Sequence, residues 1–200
     1  IRSINPMNRP FQIVAVDGGA ASGKSSTSRA VSAQLNYLHV DTGTHYRALT
    51  LACLQAGIPP EDGSALRNFL AEISWGTQIE GRSARVSLNR NVPQDSEIRT
   101  PEVNQAVSTY AAIPVVREAV CQYQRSQAEI AQSNGFSGLI MDGRDIGTVI
   151  FPEADLKIFL QADLSTRNRR REKEGQSDDL AARDQLDSRR ATAPMEPSDD

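Results

Sequence analysis

The sequence predicts an α/β fold, a mainly parallel sheet flanked by helices on both faces, with an insertion in the middle of the chain. Three observations carry this. Short apolar, β-branched runs alternate with segments of helical period. A glycine-rich turn separates the first strand from the first helix. A later apolar run ends in a carboxylate where a buried strand meets a loop, at Asp142. Two hundred residues are enough for one compact unit of this class with a real core.

Taken in order, residues 11–17 read as a buried strand, ended by Gly18 and Gly19. A helix is expected over 24–35. Residues 38–40 make a brief second strand, followed by a polar loop over 41–44 and a helix over 46–56 stopped by Gly57, Pro59 and Pro60. Leu66, Phe69, Leu70 and Ile73 recur at helical spacing behind Ser64, a candidate cap. Alternating stretches at 77–79 and 84–88, separated by Gly81 and Arg82, suggest a small antiparallel hairpin array. Thr100 and Pro101 open a helix with Val103, Ala106, Val107 and Tyr110 on one face, and Pro114 opens a longer one ending near Gly135. Strands at 139–142 and 156–160 resume the core. Residues 58–100 thus read as an insertion into a core made of 11–57 and 101–200.

Composition excludes some function classes. A formal net charge of −3 gives no reason to expect a nucleic-acid partner. No apolar run approaches the roughly 20 residues needed to span a bilayer, and residues 1–10 lack the apolar segment of a signal peptide. Cys53 and Cys121 lie far apart, without metal or redox spacing, and read as small buried hydrophobes of a reducing compartment. A cytoplasmic monomer is the expectation. Of 22 basic residues only Lys24, Lys157 and Lys173 are lysines. An excess of arginine suits phosphate handling through its bidentate fork, and codon bias accounts for it equally well.

Gly18, Gly19, Ala20, Ala21, Ser22, Gly23, Lys24 and Ser25 fit G-x-x-x-x-G-K-[ST], with Ser26 following. Small residues let successive backbone N–H groups face phosphates, and the next helix adds the positive end of its dipole. Lys24 would reach the β- and γ-phosphates of ATP, and the Ser25 hydroxyl would ligate Mg²⁺ through ATP. A glycine-rich turn alone needs no ligand, but this one has the required strand before it and helix after it. The N-K-x-D pattern of guanine readers is absent, which argues against a GTPase.

Three further clusters point to a second phosphate. One is the segment from Asp41 through Thr42 to Tyr46 and Arg47; one runs from Asp142 through Gly143, Arg144 and Asp145 to Gly147; the third includes Arg183, Asp187 and Arg190, which share a face on a helix. Each has a plain alternative: a surface arginine, a helix-cap acceptor, a solvated salt-bridge helix. Three beside one phosphate loop are harder to dismiss.

These residues together closely resemble the bacterial cytidylate kinases of the nucleoside-monophosphate kinase family. The resemblance covers nearly the whole chain. It includes the phosphate loop, D-T-G-x-x-Y-R at 41–47, I-R-T-P-E-V at 98–103, Ser108, P-V-V-R ending at Arg117, D-G-R-D-I-G-T-V-I-F-P at 142–152 and R-D-x-x-D-x-R-R-A-T-A-P at 183–194. It implies a P-loop kinase core, with 58–100 as a monophosphate-binding subdomain. It implies transfer of the γ-phosphoryl group of ATP to CMP or dCMP. In the family's pattern Ser108, Arg117 and Asp145 would read cytosine, and Arg183 and Asp187 would hold the sugar hydroxyls. Thr42 would line the acceptor site. Tyr46, Arg47, Arg144 and Arg190 would position the acceptor phosphate, with Asp142 orienting the acceptor or Mg²⁺ waters. A lid over about 165–183 would bring Arg167 and Arg170 to the ATP side. Lys24, Asp142, Arg144, Arg170 and Arg190 are the expected catalytic set. Relatives carry a longer stretch between 171 and 183 and one more strand after the position of Asp200, so a short lid and a four-stranded core sheet are expected. The nearest rival is a kinase for UMP or another small metabolite; a more distant one is a nucleotide-binding regulatory ATPase. His39, His45 and Trp75 are expected to serve packing or loop hydrogen bonding.

Overall fold

A computed structural model describes residues 10–173, 175 and 179–198. Most of the polar stretch 1–10, and residues 174 and 176–178 of the expected lid, lie outside the described residues. The chain begins with β1 (Gln12–Gly18), α1 (Lys24–Leu35), β2 (Tyr37–Asp41), α2 (Thr42–Gln55) and α3 (Ser64–Glu72). It continues through β3 (Trp75–Glu80), β4 (Ser83–Leu88), α4 (Asp95–Ile98), α5 (Pro101–Ala111) and α6 (Pro114–Ser133). The last part holds β5 (Gly138–Gly143), a π-helical turn (Ile146–Ile150), β6 (Leu156–Leu160), α7 (Leu164–Lys173) and α8 (Leu180–Ser188).

One six-stranded sheet runs β3-β4-β2-β5-β1-β6. The four strands β2, β5, β1 and β6 are parallel and correspond to the four predicted from apolar runs. The four-stranded core is as expected, and the hairpin of the insertion extends the sheet to six strands. The antiparallel hairpin β3–β4 adds to its edge through a single pairing of Ser83 with His39, reinforced by the His39 N–H donating to the Arg82 carbonyl at 2.8 Å.

The sheet is mixed but its centre is covered on both sides, and side chains of β5 alternate accordingly. Leu139 and Met141 pack with Leu38, Val40, Ile146 and Ile150 on one face, while Ile140 joins Val14, Val16 and Val31 of α1 on the other. A further apolar cluster, including Leu49, Leu66, Ile98, Tyr110 and Val120, joins α2, α3, α5 and α6 to the hairpin. Burying side chains of this size stabilises each by roughly 1.5–3 kcal/mol.

Local chemistry moves several expected boundaries. The polar loop at 41–44 is the first turn of α2: the Asp41 carboxylate caps it by accepting from the Gly43 N–H at 3.0 Å, so Arg47 falls on the second turn. Ser64 is not the cap of α3; Gly63 is, without a side-chain bond. Arg190 lies beyond the end of α8 and so does not share a helical face with Arg183 and Asp187. Trp75 does pack, stacked on Tyr123 with ring centroids 4.9 Å apart. Among the described residues no helix is long and apolar enough to cross a membrane.

Candidate functional site

The C-terminal ends of three parallel strands set out the site. The register pairs Asp41 of β2 with Asp142 of β5, and Asp17 of β1 with Gly143. All three strands therefore deliver a carboxylate to one edge, where open α/β sheets bind ligands.

β1 runs into the phosphate-binding loop. Gly18 has φ of 138°, and a Cβ there would lie 2.1 Å from the Leu160 carbonyl, so no larger residue fits. Gly23, at φ 106°, turns the chain into α1. Lys24 is buried and folds back over the loop, its Nζ donating to the carbonyls of Gly18 at 2.7 Å and Gly19 at 2.6 Å. Burial, reinforced by the charge of Arg144, pushes the Lys24 ammonium down to about 7. Ser22, Gly23, Lys24, Ser25 and Ser26 line a hollow of about 680 Å³ with Ala21 and Arg170. The Arg170 guanidinium donates to the Ala21 carbonyl at 3.0 Å. Arg167 donates to the Ala20 carbonyl at 3.3 Å and pairs with Asp184. Gly19 leaves room for it, since a Cβ would meet its guanidinium at 2.7 Å. Arg169 is exposed and turns toward Thr166 rather than the loop.

Asp142 joins the two halves. The Ser25 hydroxyl donates to Asp142 Oδ1 at 2.9 Å, His39 Nε2 lies 2.7 Å from Asp142 Oδ2, and Thr42 Oγ1 donates to the Asp142 carbonyl at 2.8 Å. Burial, with the nearby charge of Asp41, raises this carboxyl above its usual range, while His39 and Lys24 favour its ionised form.

A second recess, of about 60 Å³, is lined by Thr42, Tyr46, Ser108, Arg144, Asp145, Arg183, Asp187 and Arg190 among others. Asp187 accepts from Arg144 Nε at 2.9 Å and from Arg190 at 2.5 Å. Burial works against its charge, yet the two arginines hold the carboxyl below its ordinary value. Arg117, from α6, pairs with Asp145, donates to the Ala111 carbonyl at 3.2 Å and lies over the Tyr46 ring, 5.5 Å from its centroid. The Tyr46 hydroxyl is buried without a hydrogen-bond partner among the described residues, and burial raises its pKa. Arg47 is buried outside this recess and donates to the Ile98 carbonyl and the Asn104 side chain. Burial, with repulsion from Arg183, Arg99 and Arg171, pushes its guanidinium down to about 9. Three arginines, Arg144, Arg183 and Arg190, line the recess and make a place where an anion relieves repulsion.

Several residues near the site escaped the sequence reading. Arg99, within the I-R-T-P-E-V segment, lines the phosphate-loop hollow beside Arg171, one of the arginines at the start of the expected lid. Asp184 holds Arg167. Asp17 accepts the N–H groups of Ile146 and Gly147, both at 2.8 Å, which ties the 144–147 loop to the strand that carries the phosphate loop. Burial pushes this carboxyl up to about 6. Its one legible signal was its position immediately before Gly18. His39, expected to serve packing or loop hydrogen bonding, lies beside the site through its bond to Asp142.

The chain is similar to known proteins along nearly its whole length. A family profile described as Cytidylate kinase matches residues 14–200. The cytidylate kinase of Mycobacterium leprae is 43% identical over 194 residues, covering 92% of this chain and 82% of that protein. Those of Desulforamulus reducens and Bacillus pumilus are 42% and 39% identical over 198 residues, each with 94% of this chain covered and 86% and 85% of the relative. A phosphate loop, an arginine-lined recess at the same sheet edge and similarity along nearly the entire sequence lead to one conclusion: the chain belongs to the cytidylate kinase family.

Proposed function

We propose that the protein transfers the γ-phosphoryl group of ATP to CMP or dCMP, giving the nucleoside diphosphate and ADP. The observation that carries this is the buried Arg117–Asp145 pair, with Ser108, beside an arginine-lined recess at the sheet edge that holds the phosphate loop. Cytosine offers an amino donor with N3 and O2 acceptors, and a carboxylate, a guanidinium and a hydroxyl complement that edge. Arg183 and Asp187 would hold the sugar, and Tyr46, Arg144 and Arg190 the acceptor phosphate; Arg47 would join them by exchanging the Ile98 carbonyl and the Asn104 side chain for it. A regulatory ATPase would have no use for this recess, and a UMP kinase would face a ring with a carbonyl where cytosine has its amino group.

The acceptor phosphate is already an anionic nucleophile, so alignment and charge neutralisation suffice. Its oxygen forms the new bond to the γ-phosphorus while the bond to the β,γ-bridging oxygen breaks, and ADP leaves. Gly18, Gly19, Ala20, Ala21, Ser22 and Gly23 would cradle the donor phosphates, with Ser25 and Ser26 beginning the helix behind them. Lys24 would exchange the loop carbonyls for phosphate oxygens, and Arg167 and Arg170 would turn from the carbonyls of Ala20 and Ala21 in the same way. Closure of a lid over about 165–183 would exclude water, the competing acceptor.

The residues also suit Mg²⁺. Ser25 Oγ and the Asp142 carboxylate, 2.9 Å apart, are hard oxygen donors. Among the described residues no group of three or more His, Cys, Asp or Glu could hold an ion alone. An ion arriving with ATP fits this pattern, Ser25 ligating it and Asp142 orienting its waters, and it would supply neutralisation of phosphate charge. Residues 58–100 would serve as the acceptor-binding subdomain by packing behind α2, α5 and α6, since the recess takes its lining from outside that segment. All the named groups come from one chain, so a monomer would suffice, and the free thiols of Cys53 and Cys121 fit a cytoplasmic enzyme.

The test is a coupled ADP-release assay with Mg-ATP, comparing CMP, dCMP, UMP, AMP, GMP and no acceptor. Release dependent on CMP or dCMP is expected. Equal release with every acceptor would mean a plain ATPase, and preference for UMP would reassign the base-reading set.

A further inference from the structure

We infer that His39 is a positioning residue for phosphoryl transfer: its imidazole fixes the Asp142 carboxylate so that Oδ1 faces the Ser25 hydroxyl. The catalytic part of this inference rests on the reading proposed above, and the geometry it uses is independent of it.

The fold brings the three groups together for a simple reason. His39 pairs in register with Ile140, and Asp142 follows two residues later on the same strand. Side chains alternate along a strand, so His39, Ile140 and Asp142 share a face. It is the face covered by α1, whose second residue is Ser25. His39 Nε2 lies 2.7 Å from Asp142 Oδ2, and Ser25 Oγ lies 2.9 Å from Oδ1. With the serine hydroxyl donating to one oxygen, the imidazole N–H donating to the other completes the carboxylate.

A carboxylate turns on a broad, weakly restrained torsion, so its orientation is set by its partners rather than by its own rotamer. Both His39 and Asp142 are about 2% exposed, which leaves little room for water to substitute for a missing donor. Without the imidazole, Oδ2 would be a buried, unsatisfied acceptor, and the group would rotate to relieve it. His39 itself is held on two sides. Its backbone N–H donates to Arg82, and its pairing with Ser83 is the one register position joining β4 to β2. The residue that attaches the hairpin to the sheet is therefore also the one that orients Asp142. Partners of this kind around metal-handling carboxylates carry roughly 10- to 100-fold in activity.

The test compares His39→Leu with His39→Gln, whose amide nitrogen reaches about as far as Nε2. Expected for His39→Leu is a turnover with CMP reduced roughly 10- to 100-fold, with the KM for CMP within about twofold of wild type. His39→Gln should recover most of that loss, and thermal melts of both variants control for folding. The sequence contains two histidines, so a long-range ¹H–¹⁵N spectrum of the imidazoles assigns His39 once His45 is replaced. It should show the ring proton on Nε2, and Asp142→Asn should shift that nitrogen. Unchanged turnover in His39→Leu would overturn the inference. So would equal losses of turnover and melting temperature in both variants, or a ring proton on Nδ1 indifferent to Asp142→Asn. A wild-type chain without CMP-dependent ADP release would instead overturn the kinase reading, while the spectrum still decided the Asp142 contact.

Discussion

The donor side and the acceptor side of this site handle positive charge in opposite ways. On the donor side Lys24, Arg167 and Arg170 all donate to backbone carbonyls of the phosphate loop, at 2.6–3.3 Å, and of the three Arg167 also pairs with a carboxylate, the less buried Asp184. On the acceptor side Arg117, Arg144 and Arg190 pair with the buried carboxylates of Asp145 and Asp187. A neutral carbonyl is readily exchanged for a phosphate oxygen, so the donor side is built to let go and regrip. A buried ion pair is not exchanged; losing one partner strands the other's charge. The difference teaches that the acceptor side should couple to stability and the donor side to rate.

The sharpest break of that comparison is Lys24→Ala. Turnover should fall by about a thousandfold or more, as removal of a charge-neutralising group does, while the melting temperature holds or rises because a buried, desolvated cation is gone. A steady-state assay beside a thermal melt checks both halves. The converse is Asp145→Asn, which leaves Arg117 buried without its carboxylate and should cost about 3–5 kcal/mol of stability along with cytosine binding. In denaturant titrations, Arg117→Met with Asp145→Leu should restore most of the stability and none of the CMP response.

His45 sharpens the contrast by pH. Its ring is fully buried edge-on against Tyr123, both nitrogens unpartnered among the described residues, and burial pushes its pKa down to about 4. The unfolded chain binds this proton first, near the ordinary value of about 6.5. Stability should therefore fall as pH drops from about 6.5 to about 4, by about 3 kcal/mol in all. Replacing His45 by Leu should flatten that slope, as followed by melts at stepped pH. The smallest expected effect is Arg170→Ala. It should lower turnover by about tenfold, the scale of one charge-assisted contact, and leave both melting temperature and the KM for CMP unchanged, because the guanidinium is exposed.

The two sides also differ in how much of them could be read without coordinates. The phosphate loop is contiguous, and its chemistry is local: glycine where φ is positive, lysine and serine at set offsets before a helix. The acceptor side draws on α2, α5, α6, the 144–147 loop and α8, and its individual residues became a site only through the family resemblance. Periodicity found the four parallel strands and most of the helices. It missed α4, a single turn, and the π-helical turn after Asp145, because segments so short have no period to detect, and α7, whose almost wholly polar residues carry no apolar period. It started α2 too late, since Asp41 and Thr42 read as loop residues until the Asp41 side chain is seen capping the Gly43 N–H.

What the sequence determined by itself was the order of the strands and of the apolar-faced helices, the covered parallel sheet and the phosphate loop, because each depends on neighbours a few residues apart. Tertiary structure alone decided that the hairpin joins the sheet at His39, that Asp17 ties down the loop after Asp142, and that Asp184 and Asp187 hold arginines on opposite sides of the site. Those contacts link residues up to 130 positions apart, in the case of Asp17 and Gly147, and their geometry follows from strand register and helix packing, which no local pattern encodes.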